Sequence, residues 1–126
     1  MIVWRWRRII SIDLEDCPIA IAQKIIGGKW ALRILYNLST GMLRFGELNR
    51  QMPELTQATL TKELRRLESF HLINRKVYPV VPPRVEYSLT EMGLKLLPVL
   101  KELEIWGAEF KKHSKQQKNT PTQSIL

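Results

Sequence analysis

The stretch VYPVVPPRVEYSLT, Val77 to Thr90, constrains the fold of this chain more than any other. Two runs of β-branched and aromatic residues flank a bend holding Pro79, Pro82, Pro83 and Arg84. Such runs predict two strands, over residues 72–78 and 85–89, joined as a hairpin. Val85, Tyr87 and Leu89 alternate with Glu86 and Ser88, so one side of the second strand is expected to be buried. Prolines lower the entropy lost when such a tip is held in place. A stiff tip carrying a cation suits an anionic partner.

Everything before and after the hairpin reads as helix. Pro18, following Asp16 and Cys17, marks a helix start, and Ile19, Ala22, Ile25 and Ile26 then recur at helical spacing. Gly27 and Gly28 end that helix. A second is expected from about Lys29 to Leu38, with Trp30, Ile34, Leu35 and Leu38 as its apolar face. Ser39, Thr40 and Gly41 form a turn, and a short helix follows over about Phe45 to Gln51. Thr56 is placed to cap a fourth helix, about Gln57 to Phe70. Leu60, Leu64, Leu67 and Phe70 give that helix one buried stripe. Its opposite face carries Ala58, Thr61, Lys62, Arg65 and Ser69. Thr90 caps a last helix, Glu91 to about Lys112, in which Pro98 is expected to produce a kink. Met92, Leu96, Val99, Leu103, Trp106 and Phe110 form its stripe, widened by Leu94, Leu97, Leu100 and Ile105. One side of a small domain does not cover so broad a face, so a second subunit is the expected cover.

Charge narrows the partner. The chain has 126 residues and a formal net charge of +8. Residues 44–84 alone hold eight Lys/Arg against four Glu. Nucleic acid and anionic lipid are the natural partners of such a surface. No apolar run reaches the roughly 20 residues of a membrane span, and the start MIVWRWRRII lacks the pattern of a signal peptide. A cytoplasmic location is expected, and a single cysteine, Cys17, agrees with a reducing compartment.

The element order is three helices, a turn, a helix with a polar cationic face, a hairpin and a long helix. This predicts a mainly α fold with a small β-hairpin: a winged helix-turn-helix. Side chains near the start of a helix in the major groove reach base edges. Gln57, Thr59 and Thr61 can donate or accept there, and Ala58 allows close approach or meets a thymine methyl. Lys62 and Arg65 reach phosphates or guanine. Arg84 is the expected wing contact, supported by Arg75 and Lys76, because arginine is favoured in a narrow minor groove. Arg44 and Thr56 complete the candidate DNA-binding set. A bland alternative pairs Arg84 with Glu86 in a solvated turn, and a weaker one makes Pro79–Pro82 a proline-motif ligand.

The segments CPIAIAQKIIGGKWALRIL and RFGELNRQMPELTQATLTKELRRLESFHLINRKVYPVVPPRVEYSLTEMG resemble the HxlR family of bacterial winged helix-turn-helix regulators. The resemblance spans about Cys17 to Gly107. It rests on the Cys-Pro start, Ile26 to Trp30, Arg44 to Leu48, and Tyr78 through Tyr87 taken together. It implies a homodimer built from the first and last helices, bound to double-stranded DNA at a pseudo-palindromic operator. Ile19, Ile25, Leu96, Val99, Leu103, Trp106 and Phe110 are the matching dimerisation candidates. The implied organisation is an N-terminal extension over 1–16, the DNA-binding and dimerisation domain over 17–112, and a polar tail over 113–126. The first ten residues, with Trp4 and Trp6, fall outside the pattern. A strap on the dimer and a start placed too early are preferred for them over a DNA-binding arm.

Cys17 precedes a helix N-terminus, where backbone N–H groups favour thiolate. Family members that sense electrophiles or oxidants are similar in carrying a cysteine at this start. Asp13, Glu15 and Asp16 oppose thiolate formation, and an inert buried thiol is the competing reading. An electrophile or another small molecule is the implied effector. No enzyme, metal or cofactor is expected: His71 and His113 lack partners for a triad or metal site. Ile26 to Trp30 departs from a phosphate loop, with Gln23 at the earlier glycine position and Trp30 where Ser or Thr would stand. The rival class is a winged-helix module that binds protein instead of DNA.

Overall fold

The structure is a computed structural model that describes residues 17–119. The expectations for residues 1–16 and for the end of the tail lie outside them. Two units are distinguished, one running through Leu94 and one beginning at Lys95.

The first unit contains α1 (Pro18–Ile26), α2 (Ala31–Leu38), β1 (Leu43–Arg44), α3 (Phe45–Gln51), α4 (Gln57–Ser69), β2 (Ile73–Tyr78), β3 (Arg84–Leu89) and α5 (Glu91–Leu94). The fold is mainly helical with a three-stranded antiparallel sheet in the order β1-β3-β2. The hairpin runs from Ile73↔Leu89 to Tyr78↔Arg84. The third strand was not foreseen: β1 pairs Leu43 with Tyr87 and Arg44 with Glu86. This places β3 in the middle of the sheet.

The core forms where the helical stripes meet. Ile34 and Leu35 of α2, Leu48 of α3, Met52, and Leu60, Leu64 and Leu67 of α4 are fully enclosed at 0% exposure. Burying each of these α4 leucines contributes about 1.5–3 kcal/mol. Ile73 and Tyr87 close the core from the sheet. Phe70, expected in the α4 stripe, is only half-buried, because the helix ends at Ser69 and Phe70 forms its C-cap.

Each helix end has a local cause. Proline is the first residue of α1, and the Gly27 N–H closes it on the Gln23 carbonyl at 2.8 Å. At α3 the Arg44 N–H donates to the Glu47 carboxylate at 2.7 Å. Thr56 caps α4 as expected, its hydroxyl oxygen accepting from the Thr59 N–H at 3.1 Å. The far end of α4 is a Schellman motif: the His71 N–H donates to the Glu68 carbonyl at 2.9 Å and the Leu72 N–H to the Leu67 carbonyl at 3.1 Å. His71 is therefore an exposed turn residue at φ 61°, in the left-handed region. Thr90 joins this turn to α5. Its hydroxyl donates to the His71 carbonyl at 2.7 Å and accepts from the Gly93 N–H at 3.0 Å. Gly93 allows that approach, since a Cβ there would strike the Leu72 carbonyl oxygen.

Arg33 of α2 reaches the loop before α4 and pairs with Glu54 at 2.8 Å. The guanidinium holds the Glu54 carboxyl below its ordinary range. A carboxyl lowered in the folded state contributes stability above its unfolded pKa, and that contribution is lost as pH falls through the folded value.

The second unit is α6 (Leu97–Asn119). The expected kinked helix from Glu91 to about Lys112 is corrected at both points. Residues 95 and 96 form a turn that separates α5 from α6. Pro98 thus lies in the first turn of a new helix, where its missing N–H has no carbonyl to meet. The helix also continues past Lys112 to Asn119, beyond the expected start of the tail.

Left-handed backbone costs a non-glycine residue roughly 1–2 kcal/mol, partly offset by the greater chain entropy of glycine when unfolded. His71→Gly is expected to raise unfolding stability by up to about 1 kcal/mol, measured as a higher urea midpoint at unchanged slope.

Candidate nucleic-acid interface

The outer face of α4 is a consequence of its inner one. With Leu60, Leu64 and Leu67 buried, the helical period turns Ala58, Lys62 and Arg65 outward with Thr61 beside them, and Gln57 is exposed because it is the first residue of the helix. These five residues lie together on one open surface. Gln57, Ala58, Lys62 and Arg65 are exposed, and Thr61 is half-buried. Thr56 and Thr59 are committed to the cap: besides the backbone bond, the Thr56 hydroxyl donates to the Thr59 hydroxyl at 3.0 Å.

Neighbouring arginines on α4 have different roles. Arg65 faces out, whereas Arg66 donates to the Lys24 carbonyl at 2.5 Å and lies over the Phe70 ring at 5.4 Å. Arg66 therefore ties α4 to α1. Sequence periodicity did not single it out, because Arg66 lies as far round the helix from the buried leucines as Arg65 does, and only its contact with α1 separates the two.

The wing stands on the sheet. Its tip is apolar, with Val81 99% exposed and Val80 49% exposed. Arg84 is the first residue of β3, behind the tip. Its guanidinium stacks on the Tyr78 ring at 4.3 Å, and Lys76 lies over the same ring at 4.9 Å. Arg84 Nε is 3.4 Å from a Glu86 carboxylate oxygen. The pairing of Arg84 with Glu86 is present, and the side chain also borders open space. Arg44 and Arg84 share a cleft of about 550 Å³ with Phe45, Val80, Val81 and Pro82 among its walls. Arg75 and Lys76, expected to act together, project from opposite faces of β2, since Arg75 is opposite Tyr87 and Lys76 opposite Glu86.

The sequence alternation placed Glu86 on the open side of β3. Glu86 is nonetheless the buried charged residue among the described residues, at 9% exposure. It stands on the central strand, opposite Arg44 on one side and Lys76 on the other, and in contact with Arg84. The signal that finds this lies in strand register, which the single sequence did not disclose.

Apolar side chains remain exposed on α1, where Ile19 is 67% exposed, and on α6, where Trp106 is 62% and Phe110 55% exposed. Val99 and Leu103 of α6 are exposed as well, while Ile25 and Leu96 are half-buried. Trp106 and Phe110 stack at 5.4 Å between ring centroids. Cys17 is buried at 6% exposure and forms the N-cap of α1, its carbonyl accepting from the Ile21 N–H at 2.9 Å. Among the described residues there is no cluster of three or more metal-ligating side chains, and no helix long and apolar enough to cross a membrane.

Residues 25–115 match the family model described as HxlR-like helix-turn-helix. An uncharacterised HTH-type transcriptional regulator of Methanothermobacter thermautotrophicus is 52% identical over 97 residues, covering 77% of this chain and 74% of that protein. A structure from Porphyromonas gingivalis W83, described as a transcriptional regulator of the MarR family, is similar with a TM-score of 0.73 and 43% identity. That match covers 75% of this chain and 93% of the other. The redox regulator HypR in its reduced form is similar with a TM-score of 0.75 and 39% identity, over 79% of this chain and 98% of the other.

Proposed function

This chain belongs to the HxlR-like helix-turn-helix family of transcriptional regulators, and on that premise we propose that it is a DNA-binding repressor acting as a homodimer on a pseudo-palindromic operator. The observation that carries the reading is the outer face of α4, with Gln57, Thr61, Lys62 and Arg65 together on one open surface. In this reading α4 enters the major groove, and the wing brings Arg44, Lys76 and Arg84 to the flanking backbone. Thr56 and Thr59 hold the helix start, and Arg75 meets the backbone from the other side of the hairpin. The chain works by binding rather than catalysis, in the cytoplasm with the chromosome.

Selection of genomic fragments by the purified, reduced protein tests this reading. Enrichment of two-fold repeated half-sites is the expected result; a folded protein that enriches nothing favours the protein-binding alternative. On an enriched site, affinity falls steeply with salt through counterion release. Lys62→Ala weakens binding across sequences and lowers the salt slope by about one for each phosphate it no longer neutralises. Gln57→Ala and Arg65→Ala change base preference by about 1–3 kcal/mol per contact. Wild-type behaviour in all three removes α4 as the reading helix.

The exposed apolar residues of α1 and α6 support the dimer reading. Ile19, Ile25, Leu96, Val99, Leu103, Trp106 and Phe110 are its proposed contacts. Truncating a central aromatic anchor costs about 2 kcal/mol or more, so Trp106→Ala is expected to weaken self-association by roughly 30-fold. Sedimentation equilibrium measures this, and an unchanged dimer constant takes Trp106 out of the interface.

Cys17 is the proposed entry point for an oxidant or electrophile signal. It is the sole cysteine of the sequence, and a similar protein is a redox regulator. Its burial means that reaction requires the start of α1 to open. Diamide is expected to shift operator affinity in wild type and leave Cys17→Ser unmoved; equal responses remove the assignment.

A further inference from the structure

Glu86 has no role in the reading above, yet it occupies the centre of the cationic wing. The residues opposite it on the neighbouring strands are Arg44 of β1 and Lys76 of β2. Partners across an antiparallel ladder project from the same face, so one carboxylate lies in a row between two cations. Arg84, two residues before Glu86 on β3, projects from that face as well. The face therefore carries three cations around one anion.

The anion does not saturate its neighbours. The contact between Arg84 Nε and Glu86 Oε2 is 3.4 Å long. Arg84 Nε is enclosed and has no hydrogen-bond acceptor within bonding geometry. Arg84 nevertheless keeps 38% of its side chain exposed, against 11% for Glu86. An incoming anion can thus reach the guanidinium from the cleft that Arg44 and Arg84 share, while the carboxylate stays behind it. That cleft is walled by Val80, Val81, Pro82 and Pro83 as well. Apolar side chains next to paired arginines suit a sugar–phosphate strand, which presents a charged oxygen and an apolar deoxyribose in alternation.

We infer that Arg44, Lys76 and Arg84 form a seat for a DNA backbone phosphodiester, and that Glu86 is its built-in counter-ion, which the phosphate competes with when the wing docks. This rests on the reading that the chain binds DNA and adds to it a residue that restrains binding. Without DNA, Glu86 keeps three like charges together on a small sheet. With DNA, the same carboxylate repels the phosphate and lowers the affinity of the wing.

The test uses the full chain and fluorescein-labelled duplex of mixed sequence, read by anisotropy over a salt series. Glu86→Gln, close to isosteric, is expected to tighten binding roughly three- to tenfold at moderate salt, the size of one unit charge acting through a few ångströms of hydrated surface. Glu86→Thr, a strand-forming replacement, is the second variant and moves affinity in the same direction; circular dichroism reports that both remain folded. In an Arg44→Gln/Arg84→Gln background, the gain shrinks to less than about twofold, because coupled sites are not additive. Unchanged or weaker binding by folded Glu86 variants overturns the counter-ion role and leaves the DNA-binding reading intact. A gain that survives in the double-arginine background overturns the seat, since the effect is then one of net charge alone. A wild-type chain that binds no duplex overturns both readings together.

Discussion

Burial of Leu60, Leu64 and Leu67 is the constraint on which the rest of the structure depends. All three are fully enclosed, and their spacing leaves α4 one rotational setting about its axis. Rotating the helix to present other side chains would expose those leucines, at a cost of several kcal/mol. The outward setting of Thr61, Lys62 and Arg65 is therefore fixed by the leucines on the inner side of the same helix. The Thr56 cap and the Schellman turn at His71 then set where the face begins and ends. A helix start held by side-chain and backbone bonds is a firm platform for short-range contacts to base edges.

The sheet depends on a second constraint of the same kind. β3 is bonded on both sides, to β2 along its whole length and to β1 at two residues. β1 leads directly into α3, so the chain just before the helix-turn-helix is also part of the wing sheet. Arg44 belongs to both: its N–H caps α3 through Glu47, and its position faces Glu86. The wing is accordingly not an appendage. Its setting is tied to α3 by backbone hydrogen bonds, and α3 packs Leu48 into the same core as α4.

What could be read from the sequence follows this division. The leucine stripe of α4, the Thr56 cap, the proline start of α1 and the hairpin are local patterns, and each recurs in the structure; Thr90 caps a helix as expected, but the short α5 rather than the long last helix. The outer face of α4 was legible too, because it is the complement of a leucine stripe. Three features were not legible, each for a physical reason. β1 is two residues long, too short for any period to show. Pro98 suggested a kink within one helix, but a two-residue turn before Leu97 makes it an ordinary first-turn proline of the next. The surroundings of Glu86 and the split between Arg65 and Arg66 depend on register and on contacts with distant elements, which spacing within one element does not encode.

If the wing meets DNA as proposed, its cations set folding against binding. A hairpin that meets a polyanion profits from several cations on one face, yet like charges opposite one another destabilise a sheet. In the proposal a carboxylate on the central strand eases the conflict, because the centre is the position that has a cation opposite it on each side. An edge-strand carboxylate would neutralise one neighbour and leave the others repelling. The aromatic ring of Tyr78 serves the same end by a different route, taking Lys76 and Arg84 against its electron-rich surface without removing charge. Two devices thus hold the cations, and only one of them subtracts from the field that DNA would meet. The ring can remain in place when a phosphate arrives, whereas the carboxylate has to compete with it. On that proposal, the stability of the bare wing and its attraction for a polyanion are set against each other through the Glu86 side chain.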